Sequence, residues 1–277
     1  MPLYVPQHTP TWKQGYASCA AESRNPGLWK GLVFAGLPSL GPTGLTLRDV
    51  SGWERHGTLT GMDPATDWIV SPAGYGVAFS NTTSESVRTA TALPLDDLTE
   101  LSIVSTWRTG AAQASWDAVA SQQLNGNSFG VLLGFASGTT LLMYVRTTGV
   151  NTQEDAVVTY SDSLTHTSAL TWTAGSAKLY FDGRTLLENT DTTGAVNCGT
   201  GVGNPFLIGL GRTQPNYAFN GDVFSVAVYN RVLNPSEIQQ LHQDPYALVR
   251  QRAMWLPSAG AVTPPTGNRR RRLLIGA

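Results

Sequence analysis

Phe219 to Tyr246 reads FNGDVFSVAVYNRVLNPSEIQQLHQDPY, and this stretch decides the fold. Val223 to Tyr229 alternates apolar and small residues and is rich in β-branched and aromatic side chains, which predicts a strand of a β-sandwich. Asn230-Arg231 turns the chain, and Asn234-Pro235-Ser236-Glu237 opens a helix. Asn234 is the expected N-cap, Pro235 suits the first helical position, and Glu237 follows three residues after the cap. Ile238 and Leu241 are expected to face a core, and Pro245 ends the helix.

Working outward, the 277 residues suffice for one large β domain with tails. A hydrophobic fraction of 41% supports a core, while 13% charged residues, 29 glycines and 16 prolines fit strands and loops better than helices. The net charge of −1 argues against a general nucleic-acid binder. The one basic run, Arg269, Arg270, Arg271 and Arg272, reads either as a solvated tail or as an arm that docks on an acidic partner or nucleic acid. Met1 to His8 has neither a basic start nor an apolar run, so no signal peptide is expected, and no stretch is long and apolar enough for a membrane span. Cys19 and Cys198 are too few for a disulfide framework. They are read as two buried thiols or as one bridge.

Strands are expected near 76–80, 86–91, 101–108, 117–122, 128–135, 140–147, 156–160, 168–172, 177–181 and 206–209. Asn125-Gly126-Asn127 and Asp182-Gly183 are hairpin turns by composition. Residues 1–27, with four prolines, read as an extended arm, 28–246 as the domain, and 247–277 as a linker with the basic tail.

Several segments in this order resemble the laminin-G-like, concanavalin A-like jellyroll family. Asp49 to Gly61, DVSGWERHGTLTG, matches its Asp-x-Ser-Gly turn and following strand. Gly76 to Ser80, the strand Leu101 to Arg108 (LSIVSTWR), the hairpin Leu179 to Arg184 (LYFDGR) and Phe206 to Gly209 (FLIG) follow, and the quoted stretch is similar to the family's closing signature. The resemblance covers about residues 29–246. It implies an all-β fold: a two-sheet antiparallel jellyroll sandwich with one short C-terminal helix and irregular N- and C-terminal arms.

The chemistry of such folds can then be looked for residue by residue. Glycosidases of this fold carry Glu-x-Asp-x-x-Glu on one strand, placing carboxylates on one face. That pattern is absent. Glu154-Asp155 and Asp96-Asp97 are adjacent pairs, which a strand would point to opposite faces. His8, His56, His166 and His242 are scattered and read as surface or helix-end residues. Many family members hold a structural calcium through F-x-G-x-I-D-E in the last strand. Here Phe224 and Ser225 occupy the Asp and Glu positions, so no cofactor is expected. Asp49 and Asp222 are the candidates for a loose calcium site, with His56 beside Asp49 across one turn. Trp107, Trp172 and Tyr180 read as core. Trp53, Trp68, Trp116 and Tyr217 fall in loops or near strand ends and are the ligand-binding candidates.

These readings combine into a non-catalytic jellyroll displayed on a phage or virus particle, as a capsid decoration, head fibre or tail-associated protein that touches glycans. The alternatives are a free or secreted carbohydrate-binding module, a divergent glycosidase and a cell-adhesion module. The expected partners are neighbouring structural proteins gripped by the terminal arms, glycans and further copies of the chain. The expected location is a virion surface or the extracellular space.

Overall fold

The computed structural model describes residues 16–72, 74–82, 84–125, 128–198, 204–211 and 217–252. In chain order its strands are β1 (Leu32–Gly36), β2 (Thr46–Leu47), β3 (Gly57–Thr60), β4 (Trp68–Ser71), β5 (Gly74–Ser80), β6 (Ser86–Thr89), β7 (Glu100–Arg108) and β8 (Ala118–Asn125). Then come β9 (Ser128–Ser137), β10 (Thr140–Val145), β11 (Thr152–Val157), β12 (Thr165–Thr173), β13 (Ser176–Phe181), β14 (Arg184–Asn189), β15 (Phe206–Ile208) and β16 (Asn220–Tyr229), before the helix α1 (Pro235–Gln243).

Two antiparallel sheets result. The first runs β14-β13-β12-β7-β16-β5-β4, and β1 pairs with the second half of β16. The other runs β11-β10-β9-β8-β15-β6-β3-β2. This is the expected sandwich. The strand expected at 156–160 instead occupies Thr152–Val157, pairing with β10 from Val145↔Thr152 to Thr140↔Val157. Asp182 and Gly183 have φ of 48° and 75°, as the turn between β13 and β14 requires.

Alternation sends one set of side chains between the sheets. Trp107, Trp172, Phe135, Phe206, Phe219, Leu133, Met143 and Val226 belong to this buried interior. Trp107 lies at its centre, with ring centroids 5.2–6.4 Å from Phe135, Tyr160, His166, Phe181 and Phe219. Its Nε1 donates to Ser168 Oγ at 2.8 Å, so the burial leaves no orphaned donor.

The outer face of the first sheet is covered too. Leu28, Leu32, Tyr180, Tyr229, Leu233, Ile238, Leu241 and Leu248 form a second buried cluster there. The helix that supplies Ile238 and Leu241 carries the full capping box: Glu237 N–H donates to the Asn234 side chain, and Asn234 N–H donates to Glu237 Oε2. Arg231 grips the same carboxylate at 2.7 and 2.8 Å and also donates to the carbonyls of Lys30 and Gly27. Burial alone would raise the Glu237 pKa. The Arg231 and backbone hydrogen bonds outweigh it and hold the carboxylate below its usual range.

The flanking segments differ from their expected form. Over residues 16–27 and 247–252 the arm and the linker pair with each other. Ala17 N–H donates to Val249 C=O, Arg24 N–H to Arg250 C=O, and Arg252 N–H to Glu22 C=O. Ser23 and Trp29 side chains both donate to Leu248 C=O. Ala17, Ala247, Leu248 and Val249 are apolar enough to be buried against the sheet, which is why these segments do not remain free. The sequence Arg269 to Arg272 lies outside the described residues. Cys19 is exposed and Cys198 is buried, and both are free thiols, so neither reading of the pair as buried or bridged survives.

Replacing Asn234 by alanine removes the cap acceptor and should lower stability by about 1 kcal/mol. Urea unfolding checks this, and Asn234→Ser should recover most of the loss. An unchanged midpoint for Asn234→Ala would mean that packing of Ile238 and Leu241 alone holds the helix.

Candidate functional site

Among the described residues, no helix seals the outer face of the second sheet. On it β8, β9 and β10 carry Ala118, Phe129, Leu132 and Leu142, with Trp116, Tyr144 and Tyr217 packed around them half-buried. The rings form a shelf. Trp116 and Phe129 stack with centroids 5.3 Å apart and planes 11° apart. Tyr144 stands edge-on to Trp116 at 5.8 Å, and Tyr217 stands edge-on to Phe129 at 5.8 Å. A cavity of about 250 Å³ opens here, lined by Trp116, Ser128, Phe129, Tyr144, Arg146 and Tyr217. Drug-sized sites run from ~300 Å³ upward, so this one suits a single ring of a longer ligand.

Local structure holds each wall. Trp116 adopts φ of 71°, a conformation costly for a bulky side chain, and its N–H donates to Phe135 C=O at 2.7 Å. Tyr217 is held by Gly211 N–H, which donates to Tyr217 C=O at 2.7 Å, and by the antiparallel bridge of Leu210 with Ala218. A Cβ on Gly211 would meet Trp116 O at 2.7 Å, Tyr217 Cβ at 3.1 Å and Phe129 Cε1 at 3.2 Å, so glycine is needed where three walls converge. Arg146 follows Tyr144 by two residues and therefore shares its face. Its backbone is pinned between Gly130 C=O and Asn197 N–H.

Two of the four aromatic candidates, Trp116 and Tyr217, thus meet at one place. The other two lie elsewhere. Trp53 is 61% exposed, with its Nε1 donating to Leu32 C=O and the Arg55 guanidinium 5.0 Å above its ring. Trp68 leans on the interior from β4 and donates to Gly44 C=O at 2.8 Å. Sequence reading missed Phe129, Tyr144 and Arg146. The signal was the unbroken apolar run Leu141-Leu142-Met143-Tyr144-Val145, which tells of a strand with both faces covered.

The calcium candidates do not fit the ion. Asp49 accepts from the N–H groups of Ala35, Ser51 and Arg55 and from the Ser51 hydroxyl, which fills its acceptor sites. His56 Nδ1 accepts from Asp49 N–H at 3.1 Å. Asp222 is held by Nε and Nη2 of Arg108. Among the described residues no three His, Cys, Asp or Glu side chains gather as a metal site.

Two other titratable groups depart from expectation. His166 is buried, not at the surface, and stands 3.0 Å from both Asp162 and Asp182. Burial lowers its pKa, but hydrogen bonds and charge from the two carboxylates raise it by more. Asp117, next to Trp116, is 1% exposed. Oδ2 accepts from Ala114 N–H at 2.6 Å, and Oδ1 has no partner. Burial pushes its pKa up to about 6 against the weaker opposing pull of that hydrogen bond.

Comparison with known proteins follows the geometry. Residues 81–239 match the family model described as the concanavalin A-like lectin/glucanases superfamily. No curated protein matches the chain. Among solved structures, the sialidase of Trypanosoma rangeli is similar with a TM-score of 0.55 at 17% identity, over 78% of this chain and 33% of that one. Domain 4 of AbnA, a GH43 extracellular arabinanase from Geobacillus stearothermophilus in complex with arabinotriose, gives 0.57 at 15% identity, over 77% of this chain and 100% of that one. The binding domain of Paraclostridial Mosquitocidal Protein 1 gives 0.52 at 15% identity, over 78% and 52%. The chain thus spans about a third of the sialidase, and at these identities the likeness is one of fold.

A raised carboxyl pKa favours the native state below the unfolded value and ceases to do so as pH rises through the folded one. Asp117 should therefore cost stability progressively from pH 3.8 to about 6, on the order of 2–3 kcal/mol in all. The Asp117→Asn variant keeps the acceptor for Ala114 and lacks the charge. Unfolding free energies of the two proteins should diverge across that window, with the variant gaining relative to wild type as pH rises. Parallel profiles would mean that the carboxyl titrates normally.

Proposed function

The chain belongs to the concanavalin A-like lectin/glucanase superfamily, and from that premise we propose that it is a non-catalytic carbohydrate-recognition domain whose site is the aromatic shelf. The observation that carries the reading is the half-buried group Trp116, Tyr144 and Tyr217 around Phe129 on an outer sheet face. Such rings offer apolar area to the C–H faces of a sugar ring. The arabinanase domain that the chain covers end to end was solved with arabinotriose, which supports a saccharide as the ligand class.

The absence of catalysis is part of the proposal. Glycoside hydrolysis needs two carboxyl groups flanking the scissile bond. Among the described residues, the side chains lining the shelf include no carboxylate, and Asp117, its nearest acid in sequence, is buried. Display on a particle was expected from the missing signal peptide, the missing catalytic carboxylates and two irregular arms. Residues 16–27 and 247–252 are spent on one another, so glycan recognition stands ahead of particle docking as the primary role.

Glycan-array binding followed by titration calorimetry tests the reading. Trp116→Ala and Tyr217→Ala should each weaken the best glycan by about tenfold, equivalent to ~1.4 kcal/mol. Trp53→Ala should leave affinity unchanged. Loss confined to Trp53→Ala would move the site to the 48–56 loop, and release of shortened sugar from the bound glycan would make the domain a hydrolase.

A further inference from the structure

We propose that the shelf selects saccharides carrying an anionic group and that Arg146 is its receptor. This rests on the glycan reading of the same site and names the chemical class of its ligand.

Among the described residues lining the cavity, Arg146 is the one charged side chain. The other walls are four aromatic rings and the Ser128 hydroxyl, so the site is cationic. Three other guanidinium groups have a carboxylate partner: Arg108 with Asp222, Arg231 with Glu237 and Arg250 with Asp244. Among the described residues no carboxylate pairs with Arg146. Its backbone is fixed on both sides by Gly130 and Asn197, which holds the side chain on the shelf. The residue is half-buried beside apolar rings, where an ion pair is screened less than at an open surface.

The chemistry follows from the guanidinium. It is permanently charged, planar and able to present two parallel N–H donors to a carboxylate or a sulfate oxygen pair. A sugar ring seated on Trp116 and Tyr217 would bring a substituent toward that fork. A neutral sugar would leave the cation with water alone. A uronate or a sulfate ester would neutralise it without any rearrangement of the protein. Both sources share one recognition chemistry and differ in the group supplied.

The test uses the full chain and three probes: a neutral galacto-oligosaccharide, an oligogalacturonate of equal length, and a sulfated galacto-oligosaccharide. Calorimetry at low salt should show one or both anionic probes binding about tenfold tighter than the neutral one. That advantage should shrink in about 0.5 M NaCl, where screening acts within a few ångströms. Arg146→Gln should abolish the preference, read as the ratio of anionic to neutral affinity, and Arg146→Lys should retain part of it. Tighter binding of the uronate alone assigns a carboxylate ligand, and of the sulfated probe alone a sulfate ester. Equal affinity for neutral and anionic probes, or a preference that survives Arg146→Gln, overturns the inference and leaves the glycan reading standing. Binding of none of the three, together with a blank glycan array, overturns both.

Discussion

The burial of the Trp107 indole is the contact on which the sandwich depends. Five rings from β7's neighbours and from the facing sheet converge on it, and its single polar atom is satisfied by Ser168. A side chain of this size removes roughly 150–250 Å² from water, worth about 4–6 kcal/mol at ~25 cal/mol/Å². That is a large fraction of the stability of an ordinary domain, ~5–15 kcal/mol. It also fixes register. Trp107 faces His166 in β12 and Val223 in β16, so slipping either strand by one residue would turn the indole's neighbours outward.

With the interior filled from both sides, the outer faces are what distinguish the two sheets. The first sheet buries its outer face under α1 and the paired segments 16–27 and 247–252. Tyr229, Ile238 and Leu248 close that space, and Arg231 ties the helix start to the chain near Gly27 and Lys30. Among the described residues, the second sheet has no such cover over β8, β9 and β10. Its outward apolar residues are instead capped by the aromatic side chains that rise from the loops at 116 and 217. Among the described residues, the shelf on that sheet follows from where the helix goes, since the helix and the two short segments all lie on the other sheet.

The sandwich was legible because its signals are local. Asn234-Pro235-Ser236-Glu237 forms the capping box within four residues, Asp182-Gly183 forms its turn within two, and the alternation of Val223 to Tyr229 needs no distant partner. The site was half legible for the opposite reason. Trp116 and Tyr217 stand out as loop aromatics, but Phe129, Tyr144 and Arg146 lie in or beside strands where aromatic and long side chains are ordinary. Only the pairing of β8 with β9 and of β9 with β10 brings them together. The same limit applies to Asp49. Its spacing to His56 suggests a ligand pair, whereas the fold folds its carboxylate back on three backbone N–H groups. The pairing of the arm and linker over 16–27 and 247–252 was not legible because their partner is each other, some 225 residues apart for Ser23 and Leu248.

The shelf is also a place where the structure departs from what stability alone would select. Trp116 holds a left-handed backbone conformation, which costs on the order of 1–3 kcal/mol for a residue of its kind. Asp117, beside it, keeps a carboxyl oxygen buried without a partner. Gln123 pairs with Phe129 across the β8–β9 ladder and so shares its face, and both its amide nitrogen and oxygen are buried unpartnered. Each such group costs roughly 1–3 kcal/mol relative to a satisfied or apolar one. Gly211 adds a position where the approach of three walls forbids a side chain. A sandwich held by Trp107 requires none of these features, and apolar or hydrogen-bonded replacements would fold more stably. Local rules broken at several neighbouring positions, in a chain that obeys them from Asn234 to Glu237, are the pattern expected where a surface is kept for a ligand rather than for the fold.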